Sequence, residues 1–302
     1  METRTLPFTD EAIAEAARLI LAGEPVAVPT ETVYGLAADA TNGEAVARIY
    51  EAKGRPSFNP LIVHVPDLDA AERIGVFGDQ ARALAEAHWP GPLTLVVPLR
   101  PDAPIASLVT AGLPTIALRV PAHPAMQALL RAVLRPLAAP SANASGSISP
   151  TRAEHVLKSL NGRIPLVIDG GQTERGLEST IVAAIGEKTL RLLRPGPIAI
   201  EAEHATGDRI EAPGQLASHY SPGKPVRLNA DSAAEDEYLI GFGDIDGDQN
   251  LSASGDLIEA AARLFELLHQ AQASAKQRVA VAPIPDEGIG AAINDRLKRA
   301  AA

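Results

Sequence analysis

Two short segments carry side chains suited to chemistry rather than packing. One is Pro29-Thr30-Glu31-Thr32-Val33-Tyr34-Gly35-Leu36. The other is Lys53-Gly54-Arg55-Pro56, continuing through Asn59-Pro60-Leu61-Ile62-Val63-His64. A third polar loop stands at Ser141-Ala142-Asn143. Hydroxyl, guanidinium, ammonium and amide groups at strand and helix ends suit a nucleotide or an amino acid. None of them helps a core.

Each group also has an ordinary reading. Lys53 can simply complement a helix dipole, whereas Arg55 lies past the glycine stop. A turn that aims two cations at one point, with Asn59 after it, suits phosphate. Thr30 and Thr32 read equally well as turn hydroxyls or as ligand groups at a strand's carboxyl end. His64 lies in an apolar strand, where a satisfied core histidine is the commoner case. With no cysteine and no second histidine at ligand spacing, metal binding is disfavoured there. Arg119, in another apolar strand, must be paired or face a cleft, and a ligand carboxylate is a natural partner. Ser141, Asn143, Ser145, Ser147 and Ser149 follow the apolar Leu137-Ala138-Ala139, as in a loop held at a sheet's edge. Glu178-Ser179-Thr180 precedes Ile181-Val182 as another such edge. Arg194-Pro195-Gly196 ends a strand with a cation that reads as either surface or site charge. Other patterns fail their tests. Gly241-Phe242-Gly243 with Gly247 misses the dinucleotide spacing, and Asp244, Asp246 and Asp248 lack the rest of a calcium loop.

Alternating helices and strands must position these groups. Residues 10–22 place Ile13, Ala17, Ile20 and Leu21 at helical spacing, with Thr9 as N-cap. Val26 to Val28 is a strand ending at Pro29. Residues 44–53 form a helix that Gly54 stops. Strands are expected at 61–65, 93–97 and 115–120, and near 165–168, 179–184 and 190–193. In the third of these, Ile116, Leu118 and Val120 face one way and Thr115, Ala117 and Arg119 the other. Further helices are expected near 79–88, 124–134 and 151–159. Glu201 to Pro225 is rich in proline and glycine and reads as a linker. Beyond it, strands at 238–242 and 279–282 and helices at 256–269 and 290–299 make a small α/β unit. That unit is too small to stand confidently alone and is expected to pack on the first domain.

The 302 residues suit about two domains. A net charge of −10 and only 3% aromatic residues argue against a broad basic face or a stacking platform for nucleic acid. With no cysteine, a disulfide framework and a thiolate zinc site are excluded. Residues 1–10 carry no apolar signal-peptide core, and no run reaches membrane-helix length, so a cytoplasmic, membrane-free protein is expected.

Taken in order, Pro29 to Leu36, Lys53 to Pro56, Asn59 to Leu61, Ser141 to Asn143 and Arg194 to Gly196 resemble the threonylcarbamoyl-AMP synthase family and its YrdC-like domain. The linker segment Pro213 to Pro222 and the C-terminal unit resemble the family's longer, two-domain branch. The resemblance implies an α/β fold: a YrdC-like twisted mixed sheet with helices over residues 1–200. A linker at 201–225, able to act as a lid through His219 and Tyr220, then joins a small α/β C-terminal domain at 226–302. It implies that L-threonine, bicarbonate and ATP, with Mg2+, give threonylcarbamoyl-adenylate and pyrophosphate. The product would feed N6-threonylcarbamoyladenosine formation in tRNA through separate transfer proteins, with at most weak tRNA contact. By motif position, Thr32, His64, Arg119, Ala139 and Ser179 would hold threonine. Arg55, Asn59, Thr115, Ser141, Asn143, Ser149 and Arg194 would hold the nucleotide, with Lys53 and Arg55 in the catalytic role near its phosphates. No metal ligand is expected from the protein. Two other classes stay open: a non-catalytic double-stranded RNA or tRNA module using Lys53 and Arg55, and a related carbamoyl-transfer enzyme. The acidic balance counts against the first, and the lack of an acylphosphatase-like or zinc-binding segment against the second.

Overall fold

Caps set the first helices. Thr9 accepts the Ala12 amide and opens α1 (Asp10–Leu21), as its sequence predicts. Asn42 accepts the amides of Glu44 and Ala45 and opens α2 (Gly43–Lys53). Gly54 closes it at φ +59°, a left-handed turn that strains any residue bearing a Cβ. The structure, a computed structural model, describes residues 2–186, 189–204, 211–213 and 219–302.

The chain builds β1 (Arg4–Pro7), β2 (Val26–Pro29), β3 (Tyr34–Asp39), β4 (Ile62–His64), α3 (Leu68–Glu72), α4 (Asp79–His88) and β5 (Leu93–Pro98). It continues with α5 (Ser107–Thr110), β6 (Thr115–Arg119), α6 (Pro124–Val133), β7 (Leu137–Ala138) and α7 (Ala153–Leu160). Next come β8 (Leu166–Asp169), β9 (Thr180–Ala183), β10 (Arg191–Arg194) and β11 (Glu203–His204). These strands form one sheet in the order β1-β8-β2-β3-β7-β4-β6-β5-β9-β10-β11. It is mixed, as expected: β4 pairs parallel with β6, while β5 pairs antiparallel with β6 and parallel with β9.

Three strands of the large sheet depart from the sequence-based expectation. β1 and β3 were not foreseen, and β11 extends the large sheet into the stretch read as linker. Every residue of β3 is buried, so the two-residue alternation that marks a half-exposed strand is missing.

Alternate side chains split between two environments. Val63, Leu118, Val97 and Val182 enter the main core with Val46 and Ile49 of α2. Ile62, Val96, Ala117, Ile181, Ala183 and Leu193 make a smaller patch covered by Ala212 of the linker. Around β2 and β8, the sheet packs on α1 and α6 through Ile13, Ile20, Met126 and Leu129.

The C-terminal unit contains β12 (Val226–Arg227), β13 (Glu237–Gly241), β14 (Gln249–Asn250), α8 (Leu257–Ala273), β15 (Arg278–Val281) and α9 (Ile289–Ala300). Its strands run parallel in the order β12-β15-β13-β14. Its core also takes in Val33, Ile148, Leu177 and Tyr220. The unit therefore packs on the first domain, beside the segments that carry the polar groups.

Candidate active site

The register of β4 on β6 sets His64 directly opposite Arg119, so both project from one face. Arg119 is buried. Its Nη2 donates to Glu31 Oε1 at 2.6 Å and its Nε to the Gly91 carbonyl at 3.2 Å. The other Glu31 oxygen accepts the Ala122 amide at 3.1 Å. Burial pushes the Glu31 carboxyl up, but Arg119 and the amide donors pull it lower still, so it stays ionised. The protein thus supplies a carboxylate for Arg119, while Nη1 has no acceptor among the described residues. His64 is not the satisfied core histidine of the ordinary reading. Both ring nitrogens are buried without a partner in the described structure. Burial, then the neighbouring Arg119 charge, lowers its pKa to about 3 and keeps the ring neutral.

Turn hydroxyls organise the next wall. Thr30 Oγ1 donates to the Val33 carbonyl at 2.7 Å, accepts the Thr32 and Val33 amides, and lies 2.8 Å from Thr32 Oγ1. Thr30 shapes the turn, and both threonines line the cleft. Ala139, tied through its amide to the Ile62 carbonyl, lies across from Gly35.

The two cations do not point to one place, as the turn suggested: Arg55 lines the cleft and Lys53 does not. Lys53 ends α2 but is buried, and its Nζ donates to the Ser141 and Asn143 carbonyls at 2.5 Å each. Burial and the Arg55 charge push its pKa well down. Lys53 anchors the Ser141–Asn143 loop from behind and is not on the cleft wall. Arg55 does line the cleft and is held by the Asn59 and Pro60 carbonyls. Burial lowers its pKa to about 10. With both side chains buried, neither offers a cation to an RNA duplex. Asn59 is buried with both amide atoms unpartnered, while its carbonyl accepts from Arg55 and Tyr50.

Arg194 is not surface charge. It is buried and clamps Ser179, its Nε donating to the carbonyl at 3.0 Å and its Nη2 to Oγ at 3.1 Å. Thr94 Oγ1 lies 2.7 Å from the same hydroxyl. The clamp needs Gly196, since a Cβ there would stand 2.4 Å from the Thr180 backbone nitrogen. Ser149 Oγ donates to Glu178 Oε1 at 2.5 Å and stands behind the wall that Glu178 lines. Asn143 likewise sits off the wall, its Nδ2 donating to Ala144 and Ser147 carbonyls. Thr115 shares the cleft-facing side of β6 with Arg119 but is four residues away, about 13 Å along the strand, and does not line the cleft.

A cover closes the top. Pro213, His219 and Tyr220 complete the walls. The His219 amide donates to the Arg299 carbonyl, and the Ser221 amide to the Gly146 carbonyl, so both domains hold this segment. Tyr220 is buried at φ +65°, packed 5.3 Å from the Phe265 ring and 4.1 Å from the His219 ring. Burial lowers the His219 pKa to about 3 and raises that of Tyr220 to about 12. The cleft spans about 530 Å³, including space open to solvent. The linker residues 214–218, part of the family-like segment, lie outside the described residues.

Three groups important to this geometry were not singled out as site residues: Glu31, Glu178 and Arg296. The two glutamates lie inside segments already marked as polar edges. Arg296, on α9, reaches Glu178 Oε2 at 3.0 Å across 118 residues of sequence and had no local signal. Among the described residues no cluster of three or more acidic or histidine side chains could hold a metal. Glu178, which lines the cleft, is already engaged by Arg296, and Glu31 beside it by Arg119.

The chain is similar to known proteins over nearly its whole length. A family model for Sua5, YciO and YrdC proteins, described as telomere recombination, matches residues 18–196. A second, described as the C-terminal domain of threonylcarbamoyl-AMP synthase, matches residues 177–302. The threonylcarbamoyl-AMP synthase of Bacillus subtilis is 40% identical over 99% of this chain and 95% of its own length. That of Pyrococcus abyssi is 38% identical over 94% of this chain and 92% of its own. The crystal structure of P. abyssi Sua5 complexed with L-threonine superposes with a TM-score of 0.90 at 34% identity, covering 99% of this chain and 98% of that one.

Proposed function

The chain belongs to the threonylcarbamoyl-AMP synthase family, and on that premise we propose that it condenses L-threonine, bicarbonate and ATP into threonylcarbamoyl-adenylate and pyrophosphate. One observation carries the reading. In a protein of net charge −10, Arg55, Arg119 and Arg194 converge on one covered cleft whose lining carboxylate, Glu178, is already paired with Arg296, while Glu31 is paired with Arg119 beside it. Such a cleft suits anions that arrive from outside: a triphosphate and an amino-acid carboxylate.

The chemistry needs no protein nucleophile. The threonine amine takes up bicarbonate as a carbamate with loss of water. A carbamate oxygen then attacks the α-phosphorus and pyrophosphate leaves. The protein's work is positioning and charge stabilisation. Arg119 Nη1 is assigned to the threonine carboxylate, while Glu31 fixes the guanidinium plane. The neutral His64 ring offers one donor and one acceptor, and Thr32, Ala139 and Ser179 complete the amino-acid pocket. Arg55, Ser141 and Arg194 are assigned to the nucleotide, with the unpartnered amide of Asn59 beside them. Lys53, Asn143 and Ser149 act on this wall from behind. Thr115 belongs to the far end of the same face, where an extended nucleotide reaches. Mg2+ belongs to the substrate as MgATP, since the engaged carboxylates do not make a metal site; it neutralises phosphate charge.

The cover has a chemical use. Water hydrolyses a mixed carbamate–phosphate anhydride, and burial under Tyr220 and His219 delays it. ATP entry requires this cover to move. The division into residues 1–200, linker 201–225 and C-terminal domain 226–302 follows, with the linker's far end anchored on α9. On the same reading the product passes in the cytoplasm to proteins that transfer threonylcarbamoyl to tRNA. The test is pyrophosphate release from MgATP with threonine and bicarbonate, with mass detection of the adenylate. Equal release without threonine would reject the reading.

A further inference from the structure

Arg296 is the largest side chain with no exposure at all, and it belongs to the last helix of the C-terminal domain. Its guanidinium meets the segments that carry Glu178 and Arg194 and lies over the Tyr220 ring. Nε donates to Glu178 Oε2 at 3.0 Å, next to Ser179. Nη1 donates to the Pro195 carbonyl at 2.8 Å, directly after the Arg194 that clamps Ser179, and to Asp295 Oδ2 at 2.9 Å. Its Cζ lies 5.7 Å from the centre of the Tyr220 ring in the cover. Glu178 passes the constraint onward, because its second oxygen accepts from Ser149 Oγ at 2.5 Å.

We propose that Arg296 is a positioning residue for the cleft: one guanidinium from the C-terminal domain locks the Glu178–Ser149 pair, the Arg194–Ser179 clamp and the Tyr220 cover into one arrangement. This rests on the adenylate-forming reading above for its kinetic consequence but not for its structural one. A planar fork is required. Only a guanidinium can bond a carboxylate through one nitrogen and a backbone carbonyl through another while its face lies near an aromatic ring. An ammonium presents its donors from a single point and lacks the planar fork. The buried pair is a poor device for stability alone, since apolar side chains of similar volume replace such pairs at little cost. It is a good device for geometry, because both partners have fixed hydrogen-bond directions. It also gives the small C-terminal domain a direct part in a site it does not line.

The experiment uses the full chain with Arg296→Lys and the double variant Arg296→Met/Glu178→Met. Melting curves establish folding. Pyrophosphate release gives kcat and KM for threonine and for MgATP separately, and hydrogen exchange follows the amides of Ser221 and His219. Arg296→Lys is expected to stay folded, to lose tenfold or more in kcat/KM, and to exchange both amides at least tenfold faster. The double variant is expected to regain the melting temperature of the wild type without regaining turnover. If the double variant restores turnover with stability, or Arg296→Lys leaves exchange and both KM values unchanged, Arg296 is only structural and the proposal is overturned. Wild-type chain that releases no pyrophosphate would instead reject the functional reading. The exchange data alone then decide the positioning role.

Discussion

Lys53 offers the sharpest test of where the cations act. If it touched phosphates, its removal would cost turnover and little stability. The structure gives it other work: two bonds from a buried ammonium to the Ser141 and Asn143 carbonyls. Lys53→Ala leaves both carbonyls without that donor, at about 1–3 kcal/mol each if they stay dry. It also empties the space of the stem, while relieving the cost of a buried amine whose pKa is already pushed down by burial and by Arg55. The net loss is about 2–4 kcal/mol, or on the order of 5–10 °C in Tm for a chain of this size. Lys53→Met keeps the stem and isolates the polar loss, so it should melt between the alanine variant and the wild type.

Both variants should raise KM for MgATP more than KM for threonine, because the freed loop carries Ser141. The assay pairs thermal melting with pyrophosphate release corrected for folded fraction. A Lys53→Met protein that melts within about 1 °C of the wild type but has lost turnover would refute the anchor and return Lys53 to the phosphates.

Arg119→Lys should weaken threonine binding far more than ATP binding, because a lysine cannot hold Glu31, Gly91 and a ligand carboxylate together; calorimetry in the reverse order would reject its assignment. Gly196→Ala should lose activity and stability together, since its Cβ meets the Thr180 nitrogen at 2.4 Å; an unchanged kcat would show that the Arg194 clamp is dispensable. Serine should replace threonine with a penalty of roughly 1–3 kcal/mol for the missing methyl, read as kcat/KM; equal efficiency would exclude a fitted pocket. Acid should destabilise the fold. His64, His219 and His269 have folded pKa values near 3, below the unfolded value of 6.5, so the unfolded chain binds more protons between those limits. Stability is full above pH about 6.5 and falls towards pH about 3, by at most about 1.4 kcal/mol per unit for each histidine; a urea midpoint at pH 5 equal to that at pH 7 would contradict this.

Much of the fold was legible because its helices and half-buried strands leave periodic marks. Thr9 and Gly54 stand where the sequence places the start of the first helix and the end of the second. Alternation in 115–120 assigned Ile116 and Leu118 to the core and Arg119 to the other face. β3 left no such mark, since a strand buried on both faces need not alternate, and Gly35, Ala37 and Ala38 carry little strand preference. The types of the site residues were legible too, but not their partners.

The partners depend on contacts between segments remote in sequence. Lys53 ends an amphipathic helix, and its acceptors come from a loop 88 residues later. Arg119 had to be paired or face a cleft; it lines the cleft and also takes Glu31, 88 residues earlier, as its partner. In both cases the cation is desolvated by the same contacts that fix its geometry. A buried cation left unpaired costs too much to persist, so the protein must give each one acceptors of its own before a ligand binds. Those acceptors are backbone carbonyls for Lys53 and Arg55, and carboxylates for Arg119 and Arg296. What a triphosphate and a carboxylate would meet is therefore not a loose set of charges but the guanidinium groups of Arg55, Arg119 and Arg194, already held by internal bonds on the cleft wall. That preorganisation explains why so much of the cleft's charge is spent on internal bonds, and why the C-terminal domain has to contribute one of them.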